Sequence, residues 1–240
     1  MIRTLRFFSS LFLLLLIALS IRSFLFEPFH IPSGSMKSTL LEGDYIFTSK
    51  YSYGYSKHSF PFSPNLFSGR IFYTQPERGD VIVFKLKKNN NIRFVKRVIG
   101  LPCDKIQMIE GELYLNDQKV KRKQIESFFD YESNRSIPRY IETLPNGKKH
   151  EILIDSFSNS LLENSPVYYV PKDQFFVMGD HRNNSFDSRF PEIGFVPMEN
   201  IIGRVSIVGL SFKLNKIDWL PFNFRLPIAI RFDRIFSKVV

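Results

Sequence analysis

The chain has 240 residues, 44% of them hydrophobic, with 33 Lys and Arg against 23 Asp and Glu, a formal net charge of +10 and a pI near 9.6. That length supports a sizeable core and one or two domains, and the positive excess points to an anionic partner, either nucleic acid or a membrane surface. The basic residues are dispersed, with no dense run beyond Lys119–Lys123. Zinc-ligand spacing and G-x-x-x-x-G-K are absent, and the single Cys103 excludes an intramolecular disulfide, so with an apolar N-terminus the membrane outranks nucleic acid.

Arg3 and Arg6 precede an uncharged run from Phe7 to Ile21. At ~1.5 Å per residue that run spans roughly 22 Å, short of a ~30 Å hydrocarbon core. Two readings compete. A cleavable signal peptide is one, with Ala18-Leu19-Ser20 as a small-x-small site. A retained anchor is the other, lengthened by Phe24–Phe26, with Arg22 snorkelling to the interface. In both, the basic start stays cytoplasmic and the chain beyond Phe26 faces the other side. A few residues later, Ile31 to Leu40 sets Ser33 and Ser35 on either side of Gly34, after Pro32, so the backbone between the two hydroxyls can turn sharply. Taken alone it also reads as an ordinary polar turn.

From Glu42 the pattern is β-like. Tyr45–Thr48, Val81–Lys85, Ile92–Gly100, Ile106–Ile109, Glu112–Leu115, Tyr168–Val170, Phe175–Met178 and Ile201–Val208 are predicted strands, with Glu110-Gly111 and Asn116-Asp117 as hairpin turns. The expected fold is mostly β: an N-terminal transmembrane helix, then a folded-over antiparallel sheet or open barrel with a smaller inserted lobe. The boundaries expected are 1–6 for a cytoplasmic start, 7–26 for the anchor, 27–118 with 166–240 for the β-rich domain, and 119–165 for the lobe. The aromatic stretch Tyr51 to Gln75, with Phe60-Pro61-Phe62-Ser63-Pro64, reads either as a loop dipping into the membrane interface or as one packed on the protein. The tail from Lys213, with Trp219-Leu220-Pro221-Phe222, either closes the sheet or lies on lipid.

Several chemistries fail on the residues. The four histidines, His30, His58, His150 and His181, are scattered without H-E-x-x-H, and neither G-x-S-x-G nor S-x-x-K occurs. A Ser-His-Asp triad through His181 with Asp180 or Asp187 stays arithmetically open. A serine can instead use lysine as its base, which requires the lysine to lose its charge by burial. Lys96 fits, inside Phe94-Val95-Lys96-Arg97-Val98-Ile99-Gly100, where alternation puts Phe94, Lys96 and Val98 on one face. It also reads as an edge lysine that discourages aggregation. Gly179 to Arg189 adds a dense run of hydrogen-bonding side chains, either a polar loop or a support for the lysine.

In this order the stretches resemble the bacterial type I signal peptidase (leader peptidase) family, membrane-bound serine endopeptidases with a Ser/Lys dyad. Ile31-Pro-Ser-Gly-Ser-Met36 with Thr39-Leu40 is similar to the nucleophile motif, and Arg78 to Phe84 to a core strand. Lys96 to Pro102 with Asp104 is similar to the general-base motif, and Gly179 to Arg189 to the last motif. The resemblance implies Ser35 as nucleophile and Lys96 as general base. It implies an oxyanion hole from the Ser33 hydroxyl and the Ser35 N–H, with Ser185 orienting the lysine and Asp187 with Arg189 bracing the loop. It implies no metal or cofactor and a retained single-pass anchor in the bacterial cytoplasmic (inner) membrane, with the catalytic domain on the extracytoplasmic, periplasmic side. Its substrates are preproteins cut after small-x-small sites; membrane lipid is a further partner, nucleic acid is not, and a monomer is plausible. Four positions depart from the family pattern: Ser38 for Pro, Cys103 for Gly, His181 for Asn and Asn183 for Asp. The competing class is a non-enzymatic membrane-tethered β domain that binds peptides or lipid, which has no reason to bring Ser33, Ser35, Lys96 and Ser185 together.

Overall fold

A computed structural model describes residues 2–61, 63–65, 67–86, 89–131, 133–155, 162–216 and 225–239. Trp219–Phe222, Phe62 and the lobe residues 156–161 lie outside them. Helix α1, Ile2–Ser20, runs on through a π-type turn, Ile21–Leu25. Arg6–Leu25 is thereby a 20-residue helix, ~30 Å long and sufficient to cross a bilayer. It exceeds the uncharged run because Arg22 leaves the apolar face and reaches Glu27 at 3.2 Å, so the helix carries on to Leu25. Phe8, Phe12, Leu14 and their neighbours are exposed, a large apolar surface of the kind that marks an interaction site.

The body contains fifteen strands in the described residues. They are β1 (Phe26–His30), β2 (Asp44–Ser49), β3 (Val81–Leu86), β4 (Asn89–Gly100), β5 (Lys105–Ile109), β6 (Glu112–Leu115), β7 (Gln118–Lys119), β8 (Lys121–Asp130) and β9 (Arg135–Thr143). Then come β10 (Lys149–Leu153), β11 (Tyr168–Tyr169), β12 (Gln174–Met178), β13 (Val196–Pro197), β14 (Ile201–Lys216) and β15 (Arg225–Ile230). The main antiparallel sheet has the order β1-β2-β14-β3-β4-β12-β13, with β15 paired to β14; β8, β9 and β10 form a second sheet, and β11-β5-β6-β7 a third. No described sheet closes into a barrel.

All eight predicted strands are present. Both predicted hairpin turns have left-handed backbone at both central residues, Glu110 and Gly111, then Asn116 and Asp117, as a two-residue connection between twisted strands requires. Strand β3 is buried from Val81 to Phe84 because both its faces are covered. Val81 and Val83 join Phe29, Ile31, Met36 and Val205 in one cluster, while Ile82 and Phe84 join Val98, Phe175 and Val177 in another. At ~1.5–3 kcal/mol for each buried aliphatic or aromatic side chain, this double-faced core holds β3 and β4 rigid beneath the site. The loop after β2 is packed on the protein in part. Tyr53 is buried and donates to Asp80 at 2.7 Å, whereas Phe72 is exposed. The described part of the tail extends the sheet as β15, and Arg231 and Arg234 bind the buried Asp44.

Two departures from the family pattern have backbone causes. Ser38 has φ +87° and its hydroxyl donates to the Glu151 carbonyl at 3.0 Å. A proline, locked near −65°, does not reach that φ, and the turn after Ser35 is pinned rather than loose. Cys103 has φ +70° in an exposed turn, the left-handed conformation that glycine adopts freely. Replacing Cys103 by Gly should raise stability by about 0.5–1 kcal/mol, the relief of left-handed strain less the entropy that glycine adds to the unfolded chain. Thermal unfolding in detergent should show a Tm a few degrees higher; a lower Tm would mean that the Cβ packs usefully.

Candidate active site

The nucleophile turn grows out of edge strand β1. Ser33 is extended at φ −140° and ψ 154° and starts a single 3₁₀ turn, Gly34–Met36, that buries Met36 in the core. The Ser33 hydroxyl does not bond to that turn, and among the described residues no main-chain carbonyl takes the Ser35 N–H. Burying Met36 and Leu40 fixes the turn from below.

Lys96 comes from the middle of β4. Its neighbours alternate as predicted: Phe94 and Val98 pack in one cluster and Val95 against the other. Lys96 is 3% exposed, and its Nζ lies 2.5 Å from Ser35 Oγ. Burial pushes the amine down to about 8; Asp187 and Asp180 pull it up, and Arg189 opposes them. The lysine is thus close to half neutral just above neutral pH, with the serine hydroxyl as its hydrogen-bond partner.

The loop 179–189 closes the site from behind. Asp187 is fully buried; burial pushes its carboxyl up, but Arg189 more than offsets this, bonding through Nε and Nη2 at 2.9 Å each. Asp187 also accepts the Gly179 N–H at 3.0 Å, and Arg189 donates to the Arg182 carbonyl at 2.6 Å. Ser185 lines the same groove as Lys96, but its hydroxyl sits over Gly179 on the Asp187 side, with no hydrogen bond to the Lys96 amine. A Cβ at position 179 would overlap both Ser185 Oγ and the Ser35 carbonyl, so only glycine permits this approach. His181 donates its backbone N–H to the Ser35 carbonyl at 3.1 Å. Its buried ring makes no hydrogen bond to the Ser35 hydroxyl. The arrangement therefore offers Ser35 a lysine and not a histidine.

Other residues escaped the sequence reading. Arg97 and Asp180, each about 1% exposed, form a two-pronged pair at 2.8 Å for each contact, and Thr39 donates to Asp180 at 2.5 Å. Lys37 beside the nucleophile bonds Asp130 of the β8–β9 hairpin at 3.0 Å, and Arg182 pairs with the buried Glu142 on β9. The inserted sheet thus grips both the nucleophile turn and the rear loop. A second cation inside an apolar strand, Arg97 beside Lys96, was the available signal for the first pair; nothing local marked the partners.

The groove in front of Ser35 has a volume of about 990 Å³ and is bounded by β1 from Pro28 and by β4 from Ile92 to Lys96. Among the described residues no three His, Cys, Asp or Glu side chains are grouped to hold a metal.

The family model described as "Signal peptidase, peptidase S26" matches residues 4–210. The signal peptidase I of Rickettsia typhi is 44% identical over 247 residues, covering 97% of this chain and 92% of that one. The signal peptidase I of Rickettsia felis is 44% identical over 238 residues, covering 93% and 88%. A solved structure of a signal peptidase I from Enterococcus faecalis shares 25% identity over 55% of this chain and 98% of that one, with a TM-score of 0.33.

Proposed function

The chain belongs to the signal peptidase, peptidase S26, family of serine endopeptidases that remove signal peptides, and from that premise we propose that it cuts preproteins with Ser35 as nucleophile and Lys96 as general base. The single observation that carries this assignment is the buried Lys96 amine 2.5 Å from the Ser35 hydroxyl. Neutral Lys96 takes the hydroxyl proton as Ser35 Oγ attacks the scissile carbonyl carbon. The resulting oxyanion is held by the Ser35 N–H and the Ser33 hydroxyl. Lys96 then returns the proton to the leaving amine, and the ester is hydrolysed by a water that Lys96 deprotonates in turn. Asp187 and Arg189 hold the rear loop, while the Ser185 hydroxyl, which makes no bond to Lys96, belongs to the Asp187 side of that loop rather than orienting the lysine.

The substrate lies extended along β1, an edge strand, with small side chains entering apolar recesses near Ile31 and Phe94; this supports cleavage after small-x-small sites. The helix Arg6–Leu25 anchors the enzyme in the bilayer that also holds the substrate's signal helix, with the catalytic domain on the extracytoplasmic side. Sharing one bilayer raises their effective concentration.

The test is cleavage of a preprotein carrying Ala-x-Ala by the full chain in detergent, beside a Ser35→Ala variant. A product from the parent alone supports the reading; equal cleavage by both removes it. The pH dependence adds a second check. With Lys96 at about 8, roughly a tenth of the amines are neutral at pH 7 and roughly nine-tenths at pH 9, so kcat/KM should climb about tenfold between them. A flat profile over that interval argues against Lys96 as base.

A further inference from the structure

Where the helix meets the body, four cations gather around one carboxylate. Glu27, 5% exposed, lies 2.6 Å from Lys50 Nζ, 3.2 Å from Arg22 and 3.8 Å from Arg93. Lys50 is buried beneath it, makes the shortest of these contacts, and also donates to the Ser59 carbonyl at 2.5 Å, so one negative charge is shared among cations that outnumber it. Lys85 lies close enough for Arg93 and Lys50 to add to the downward push of burial on its amine. Glu27 is the one acid that acts on Lys50 or Lys85. Arg22 and Arg93 thus remain as excess positive charge, with side chains 49% and 43% exposed.

The same two arginines line a groove of about 830 Å³ together with Glu27, which the cations outnumber, and apolar walls from Ala18, Ile21, Phe26, Phe47 and Ile207. It starts on the last turns of the membrane helix and ends on the sheet, so apolar walls face the hydrocarbon side and two cations stand at the headgroup level. A signal helix is neutral along its apolar stretch and makes no use of the cations; free phosphate makes no use of the walls. An anionic phospholipid uses both, and a zwitterionic one brings its own ammonium against the arginines.

We propose that this groove binds one anionic phospholipid, its phosphate between Arg22 and Arg93 and its first acyl carbons against Ile21, Phe47 and Ile207. The site adjoins the groove in front of Ser35, which Pro28 and Arg93 also line, but uses neither Ser35 nor Lys96, and it rests on reading Arg6–Leu25 as a membrane span. It couples the angle between span and body to the lipid, because Arg22 belongs to the helix and Arg93 to β4.

The experiment reconstitutes the full chain in nanodiscs of phosphatidylglycerol and phosphatidylcholine in equal amounts, then extracts it with mild detergent and counts retained lipids by native mass spectrometry. About one phosphatidylglycerol per chain should be retained, enriched over the bulk ratio by roughly fivefold for each arginine. R22Q/R93Q should return the ratio to bulk, and R22K/R93K should keep most of the enrichment. On the unaltered chain, raising NaCl from 0.05 to 0.5 M before extraction should reduce the enrichment, a check that needs no variant. No enrichment in the parent, or enrichment unchanged in R22Q/R93Q, overturns the proposal. So does displacement of the lipid by millimolar glycerol phosphate, which would make this a free-anion site, or by a saturating uncleavable preprotein, which would assign the groove to substrate. The readout is bound lipid, not turnover, and can be repeated on Ser35→Ala, so its failure and a failure of the proteolytic assignment are told apart.

Discussion

Replacing Lys96 by Met should abolish preprotein cleavage, lowering turnover by at least ~10⁴-fold, and should make the protein more stable. The first effect follows from losing the base; in serine hydrolases whose members act as a unit, removing one typically costs on the order of 10⁴–10⁶. The second follows from linkage. Lys96 is about 8 in the folded chain and ordinarily near 10.5. A lysine depressed on folding destabilises the native state fully below its folded value, and the penalty fades as pH rises toward its unfolded value. At pH 7 that penalty is about 2–3 kcal/mol, and methionine fills similar volume without it. Ser35→Ala should be equally inactive but gain no such stability. Thermal unfolding of both variants at pH 7 and pH 10, beside the cleavage assay, checks this. An inactive Lys96→Met with lowered Tm would mean that its aliphatic packing, not its desolvated amine, dominates the site's energetics.

Removing Asp180 should have the largest effect on stability. Its carboxyl is raised by burial, but Arg97 outweighs that and holds it ionised below the usual range. Asp180→Ala leaves the buried Arg97 guanidinium without its carboxylate, although it keeps the Gly79 carbonyl at 2.7 Å and Thr39 Oγ1 at 3.2 Å. Breaking one side of such a pair typically costs 3–5 kcal/mol, so Tm should fall by on the order of 10 °C. Because the cost comes from stranding a charge rather than from a large net gain of the pair, R97M/D180L should recover most of it. Asp180 also pulls the Lys96 amine upward, so the midpoint of the pH–rate profile in Asp180→Ala should move to lower pH. If the single and double variants are equally destabilised, the pair contributes favourably as a unit.

The sequence made the strands legible where burial repeats with a period of two and turns need special backbone. Val81–Phe84 and the Glu110-Gly111 and Asn116-Asp117 turns are such cases. It was silent on β1, which is short and holds Pro28, and on β8 to β10, whose alternation is diluted because much of that sheet is exposed. The polar surface of Lys121–Asp130 therefore reads like a loop, although its main chain is fully paired with β9 along most of its length.

For the site, local chemistry made Ser35, Lys96 and the rear loop candidates beside plainer readings as a polar turn, an edge lysine and a polar loop, and only the order of the motifs along the chain, through the family resemblance, set them apart. The sequence by itself thus determined the apolar N-terminal helix and the mostly β class, and put forward the reacting groups as candidates. Only the tertiary structure decided that 61 positions of separation become a 2.5 Å contact, that the His181 ring makes no hydrogen bond to Ser35, and that Arg97 finds Asp180 across 83. The reason is physical. Burial that depresses one amine and the ion pair that compensates another depend on what folds over them, and those partners arrive from strands distant in the chain.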